Sequence, residues 1–503
     1  MLFNSAIFIF GFLPVVLAIY WSLHRAGKTQ LAISFLIPLS LAFYAYWNPP
    51  FVFLLIGSIL FNYTCGRYIA AGAGRVFLTA AIGVNLSLLA WFKYALMITE
   101  TVNIAAGTAL NPGDIFLPLG ISFFTFHQIT YLVDIHKGKI TPVSFRNYAL
   151  YVGFFPQLIA GPIVRAWEIV PQFTHFTGNE KFWRNMATGA GFFIMGLLKK
   201  VFIADSLAMY ANPVFALAEQ GKNLAFFDAW TGALAYTFQL YFDFSGYSDM
   251  AIGLGLMLGF VLPINFLSPY KSASIIEFWQ RWHITMSRFF RDYLYIPLGG
   301  NRGKTEHKIF NLAVTMFLAG LWHGAGWTFA LWGLLHGIYL AINHLFVSWR
   351  KKSWPQADTD GWPYRAAAHA LTMLAVVTGW VLFRAESLAG AGRMFKAMSG
   401  ADGVVLPTRV FNMVEWVGQE GFFRIARAGD HWISTSFDVF LWIGVSYALC
   451  LALPSSVEYF GLSESRTRFK FTANRRTIFA FALMGVLALF SMQRISEFLY
   501  FQF

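Results

Sequence analysis

Apolar residues fall in blocks of about twenty along almost the whole chain, without the strict alternation that would signal strands. Blocks at 3–22, 30–47, 51–70 and 76–97 open the sequence. Others follow at 115–134, 308–330, 330–347, 366–384, 437–454 and 476–492. Each is close to the length at which a helix crosses about 30 Å of hydrocarbon. The stretch 147–163 departs from this pattern, because Pro156, Gly161 and Pro162 interrupt it. It predicts a kinked or re-entrant segment, which a membrane tolerates where protein or water covers the freed backbone groups. Between 187 and 267 apolar residues return with polar intrusions, Lys199 and Lys200 in one segment and Asp243, Ser245, Ser248 and Asp249 in another. The pattern predicts an all-α polytopic membrane protein of about eleven to thirteen transmembrane helices with re-entrant segments. Ten-residue alternating strands of a closed barrel are absent. No internal repeat or low-complexity linker divides the chain, so 1–503 reads as one integral membrane domain.

Composition agrees. Hydrophobic residues make up 57% and charged residues 12% of the 503 positions, against about 25% charged in soluble domains. The formal net charge of +13 raises the question of nucleic acid. No nucleic-acid module is present, and Lys and Arg in cytoplasmic loops facing anionic lipid account for the excess. Arg25 and Lys28, Arg67 and Arg75, then Lys137, Lys139 and Arg146 alternate with apolar blocks as expected if the N-terminus faces outward. The loops at 348–365, with Arg350, Lys351 and Lys352, and at 466–476, with Arg466, Arg468, Lys470, Arg475 and Arg476, are then inside, and the mixed-charge loop 385–435 outside. No cation precedes the first apolar block, so a cleavable signal peptide is not expected. Cys65 and Cys450 stand alone in apolar segments and form no metal or disulfide pattern.

Chemistry concentrates between Glu277 and Gly324. Phe278-Trp279-Gln280-Arg281-Trp282-His283 leads through Arg288 and Arg291 to Gly299-Gly300-Asn301-Arg302, and His323 lies inside the apolar run from Phe317 to Trp327. A neutral imidazole with an ordinary pKa near 6.5 suits general-base work. Gly320, Gly324 and Gly326 around His323 would let backbone or ligand approach closely. A core histidine bonded to a neighbouring helix is the plain alternative. Arg281, Arg288 and Arg291 read either as an interfacial helix gripping lipid phosphates or as a vestibule for a phosphorylated substrate. No carboxylate or second histidine stands at metal-ligand spacing, and no nucleophile elbow, phosphate loop or dinucleotide fingerprint occurs. The tail Phe498-Leu499-Tyr500-Phe501-Gln502-Phe503 reads as an interfacial aromatic anchor.

These motifs carry a resemblance. Pro118-Leu119-Gly120-Ile121-Ser122-Phe123, Phe155-Pro156-Gln157-Leu158-Ile159-Ala160-Gly161-Pro162, Tyr241-Phe242-Asp243-Phe244-Ser245-Gly246-Tyr247-Ser248-Asp249, the central stretch and Leu321-Trp322-His323-Gly324 resemble the membrane-bound O-acyltransferase superfamily nearly end to end. The chain looks most like the bacterial branch that acylates alginate, peptidoglycan or teichoic acid. The resemblance implies a ring of helices around a central funnel and tunnel, in a bacterial inner membrane. It implies that His323 and His283 are catalytic, and that the tail tyrosine, Tyr500, relays the acyl group. Arg281, Arg288, Arg291, Trp282, Asp243 and Trp322 would meet substrate. The implied donor is cytoplasmic acetyl-CoA, used as a substrate, with no resident cofactor or metal. The implied outcome is O-acetylation of an extracytoplasmic, alginate-like exopolysaccharide, through a periplasmic partner of the SGNH-hydrolase type. D-alanyl or peptidoglycan acyl transfer, and transport without chemistry, are the competing readings; the inverted repeats that would favour a transporter are absent.

Overall fold

The apolar blocks fold as helices whose ends fall at glycine, proline and charge. In the computed structural model, residues 1–503 are described except for 177–180, 355–358, 360, 407–422, 426–437, 464–468, 473, 493–497 and 500–503. In chain order the helices are α1 (Ile7–Arg25), α2 (Thr29–Ala45), α3 (Pro50–Ala70), α4 (Arg75–Ala106), α5 (Ile121–His136), α6 (Phe145–Gly153), α7 (Ala166–Thr174), α8 (Phe182–Leu198), α9 (Asp205–Glu219) and α10 (Phe226–Met257). The second half holds α11 (Ile275–Arg281), α12 (Ile284–Phe290), α13 (Thr305–His323), α14 (Trp327–Ser353), α15 (Trp362–Arg384), α16 (Leu388–Met398), α17 (Asp438–Ala452) and α18 (Arg475–Ser491). Among the described residues, α1, α3, α4, α14, α15 and a segment beginning with α17 (Asp438–Tyr459) are long and apolar enough to cross a membrane. The protein is a helical, multi-pass membrane protein.

The structure meets the sequence reading at some boundaries and departs from it at others. The stretch 147–163 is kinked, as its prolines and glycines predict. Helix α6 stops where Phe154 turns out of helical backbone (ψ 112°), a single turn Phe155–Leu158 follows, and the segment through Val164 is buried in protein. The two spans expected to part near Gly326 do so, and the first, 308–330, is shorter than its apolar run. It ends at His323, because Gly324 and Gly326 are extended (φ −154° and −164°) before α14 begins. The region 385–435, read as loop, contains α16 and two three-residue strands, Val404–Leu406 and Phe423–Ile425, paired in parallel.

The chain forms two compact units that interleave in sequence. One comprises 1–198, 245–265 and 471–502, the other 199–244 and 266–470. In the first, α8 and the carboxyl part of α10 meet backbone to backbone. A Cβ at Gly196 would lie 2.4 Å from the Gly246 carbonyl oxygen, so only glycine permits the contact. Phe3, Phe8, Phe43 and Phe155 fill the space beside it. Asn62, Asn85 and Gln128 form a buried amide cluster joining α3, α4 and α5. Asn62 and Asn85 exchange bonds of 2.9 and 2.7 Å, Gln128 accepts from Asn62, and Ser58 donates to Gln128 at 2.8 Å.

In the second unit α13 and α14 form a hairpin with equally close backbones. A Cβ on Gly320 would meet the Phe329 carbonyl at 2.3 Å, and one on Gly333 the Met316 carbonyl at 2.2 Å. Without a water-driven hydrophobic effect between them, membrane helices associate by such small-residue packing. Lys200, on a wide turn of helix between α8 and α9, is buried between Asp243 (2.7 Å) and Asp205 (2.9 Å).

Candidate active site

The site is built in the second unit, where long helices give way to short ones. Ser274 caps α11 by accepting from the Glu277 N–H at 3.1 Å. Helix α11 then ends at Trp282, whose backbone is extended (ψ 129°). His283 follows in the left-handed region (φ 43°, ψ 53°) and starts α12. Among the described non-glycine residues only Ser268 and His283 have positive φ. Such backbone costs of order 1–2 kcal/mol and persists where surroundings enforce it. The Leu267 N–H donates to the Arg281 carbonyl at 3.0 Å, tying the two strained positions together. At about 1.5 Å per residue, α11 and α12 with seven residues each are too short to cross a bilayer.

The break aims the His283 ring inward, where it is fully buried. Phe244 stands perpendicular to it at 4.8 Å, and Trp322 and His323 lie at 6.0 and 6.1 Å between ring centroids. Burial pushes the His283 imidazole below its ordinary pKa, so the neutral ring is the resting form. His323 reaches the same place from the carboxyl end of α13. It contacts Trp322 (5.0 Å), Trp332 (5.2 Å) and Phe383 (5.2 Å). Helices α10, α13, α14 and α15 therefore each contribute a ring, Phe244, Trp322, Trp332 and Phe383, to one aromatic enclosure around two imidazoles.

One helical turn before His323, Ala319 lines a cavity of about 190 Å³, together with Met316, Leu312, Trp279, Phe290 and Leu340. Ser287, Thr315, Arg291 and Tyr295 complete its lining, which is almost entirely carbon. Arg291 is exposed and pairs with Asp292 at 2.7 Å. The cavity offers an apolar slot, one turn from an imidazole, with Arg291 among its lining residues.

The structure brings His283, His323 and Trp322 together and sets Arg291 on the adjoining cavity. It disposes the other expected residues differently. Arg281 is bound to Glu277 (2.8 Å) and to the Leu267 carbonyl (3.3 Å), holding the break in α11. Arg288 lies half-buried on α12. Trp282 is packed against Trp380 (4.9 Å) and Phe278 (5.6 Å), behind His283. Asp243 is held by Lys200, while its neighbour Phe244 faces His283. Tyr500 lies outside the described residues. Of the tail, Phe498 and Leu499 are described and buried, with Phe498 edge-on to Tyr247 at 4.9 Å in the first unit. Sequence reasoning missed Trp332 and Phe383, because aromatics in apolar helices carry no signal of what they face. It saw Lys200 as an interruption but not its partner 43 residues away.

The MBOAT, membrane-bound O-acyltransferase family, matches residues 77–375. The chain is 44% identical over 411 residues to a probable alginate O-acetylase AlgI of Pseudomonas putida, covering 79% of this chain and 80% of that protein. It is 42% identical over 437 residues to a peptidoglycan O-acetyltransferase of Helicobacter pylori, covering 81% of each. Likeness to a teichoic acid D-alanyltransferase of Streptococcus thermophilus is lower, 28% over 244 residues, covering 46% of this chain and 58% of that one.

Proposed function

The chain belongs to the membrane-bound O-acyltransferase family, and from that premise we propose that it takes an acetyl group from cytoplasmic acetyl-CoA for O-acetylation of an extracytoplasmic, alginate-like exopolysaccharide. It is an O-acyltransferase of the bacterial branch. The observation that carries the reading is the pair of buried imidazoles, 6.1 Å apart, one helical turn from an apolar cavity with Arg291 in its lining. The slot suits the slender arm of an acyl thioester, with Arg291 toward its phosphates. An acceptor hydroxyl attacks the thioester carbonyl while His323 takes its proton. The carbon–sulfur bond breaks, and the leaving thiolate takes the proton from His323, which returns to its neutral form. His283, neutral and fixed by its strained backbone, orients the carbonyl or the incoming hydroxyl. The aromatic enclosure excludes water, so hydrolysis of the thioester does not compete.

The acceptor is the phenol of Tyr500 or a hydroxyl of an extracytoplasmic partner of the SGNH type, which passes the acetyl group to polymer. Inner-membrane residence follows from a donor made in the cytoplasm. Higher identity and coverage with O-acetylating relatives than with the D-alanylating one favour acetyl over D-alanyl. Purified protein incubated with labelled acetyl-CoA tests the proposal. Release of CoA thiol by the native chain and its loss in His323→Ala support it. Passage of label through proteoliposomes without thioester cleavage would replace acyl transfer by transport. Mass spectrometry of exopolysaccharide from a deletion strain identifies the polymer.

A further inference from the structure

A third histidine, His336, sits fully buried on α14 between Gly333 and Gly337. The Trp279 indole N–H donates to its Nδ1 at 3.3 Å. An indole nitrogen can only donate, so His336 Nδ1 is unprotonated and the ring hydrogen resides on Nε2. No described residue accepts a hydrogen bond from that Nε2. It faces Gly379 of α15, where a Cβ would lie 2.6 Å from it. A buried donor without an acceptor is costly, and a phenylalanine of similar shape would avoid the cost. The histidine is therefore explained by what its other nitrogen does.

Two rings depend on it. Trp279 lines the cavity beneath His323. Trp332 packs on His336 at 4.9 Å and stands perpendicular to His323 at 5.2 Å. We infer that His336 is a positioning residue, which fixes the Trp279 wall of the donor cavity and the Trp332 face against His323. This rests on the acyl-transfer reading above. The bond from Trp279 sets the rotation of the His336 ring, Gly379 closes the opposite side, and Trp332 is held between two imidazoles. Nothing in this chain of contacts moves a proton.

The test uses the full-length protein in detergent, with 5-fluorotryptophan incorporated. His336→Phe keeps the bulk and removes the acceptor, Trp279→Phe removes the donor, and His336→Asn places an amide oxygen near the Nδ1 position. His336→Phe and Trp279→Phe should each lower kcat/KM for acetyl-CoA about tenfold, the scale of one lost hydrogen bond. The double variant should fall no further than either single, and His336→Asn should recover most of the loss. The fluorine resonance of Trp279 should shift in His336→Phe and return toward its native position in His336→Asn. Multiplying losses in the double variant, full activity in His336→Phe, or an unmoved Trp279 resonance would each overturn the inference. If His336→Phe does not fold, Gly379→Ala, which pushes on the same ring, should shift that resonance and lower kcat/KM. Absence of thiol release from the native protein would instead sink the acyl-transfer reading, while the resonance would still report whether His336 fixes Trp279.

Discussion

Both units of this protein bury polar groups in apolar surroundings, but they do so for different ends. In the first unit one cluster is made of neutral amides on long helices, although Lys93, His127 and Asp134 are buried in that unit too. Asn62, Asn85 and Gln128 are hydrogen-bonded to one another across α3, α4 and α5, and the backbone around them is regular. In the second unit the two imidazoles of the site and the lysine of the ion cluster are placed where helices end, break or widen, while Asp243 and His336 lie within long helices. His283 follows α11 in left-handed backbone, His323 is the last residue of α13, and Lys200 lies on a widened turn. Regular spans can carry polar side chains that glue helices together. At this site the two imidazoles converge where their helices stop.

The comparison can be broken most sharply at His323. His323→Ala should lower the rate of thiol release by about 10²–10⁴-fold, the usual contribution of a positioned base. Its elution from size exclusion should not change. Equal loss from a substitution in the amide cluster would erase the distinction between the units.

Next in size is the ion cluster. Lys200→Met leaves Asp243 and Asp205 buried without their shared cation. Removing one partner of a buried pair costs about 3–5 kcal/mol. The variant should therefore show a large fall in folded yield and in melting temperature by fluorescence-detected chromatography. Combining it with Asp243→Asn should recover part of both, and no recovery would mean that Lys200 acts elsewhere.

A third experiment separates the backbone of His283 from its ring. Asparagine tolerates left-handed backbone better than other side chains with a Cβ. His283→Asn should melt closer to the native protein than His283→Ala, by about 1 kcal/mol, while both lose activity. Identical melting of the two would remove strain from the account.

The smallest effect belongs to the first unit. Asn85→Leu removes interhelical bonds worth about 0.6 kcal/mol each in membrane proteins. A slightly lower melting temperature and unchanged kcat/KM are expected.

The apolar blocks, their order and the segment holding both histidines were legible in the sequence, because hydrocarbon thickness imposes a length on every span. The motif stretches were legible through resemblance. The enclosure around His323 was not. Trp332 and Phe383 look like lipid-facing or core residues; close packing of α14 on α13 makes a wall of the first, and α15 supplies the second. Arg281 was read as part of a phosphate-binding mouth. Its position four residues after Glu277 already signalled an intrahelical pair, and that is how it is used. His336 escaped notice because its role depends on Trp279, which is 57 residues earlier.

The hairpin of α13 and α14 has a consequence for synthesis. Its halves are separated by only the Gly324–Gly326 link, so closing it forfeits little chain entropy and needs no distant segment. Glycine against carbonyl leaves no gap for lipid between the two. A ribosome stalled far enough beyond Ser353 for both helices to emerge would already present this pair as an assembled wedge to the insertion machinery. Position 323 would then take its place before the helix that carries Phe383 has joined the pair.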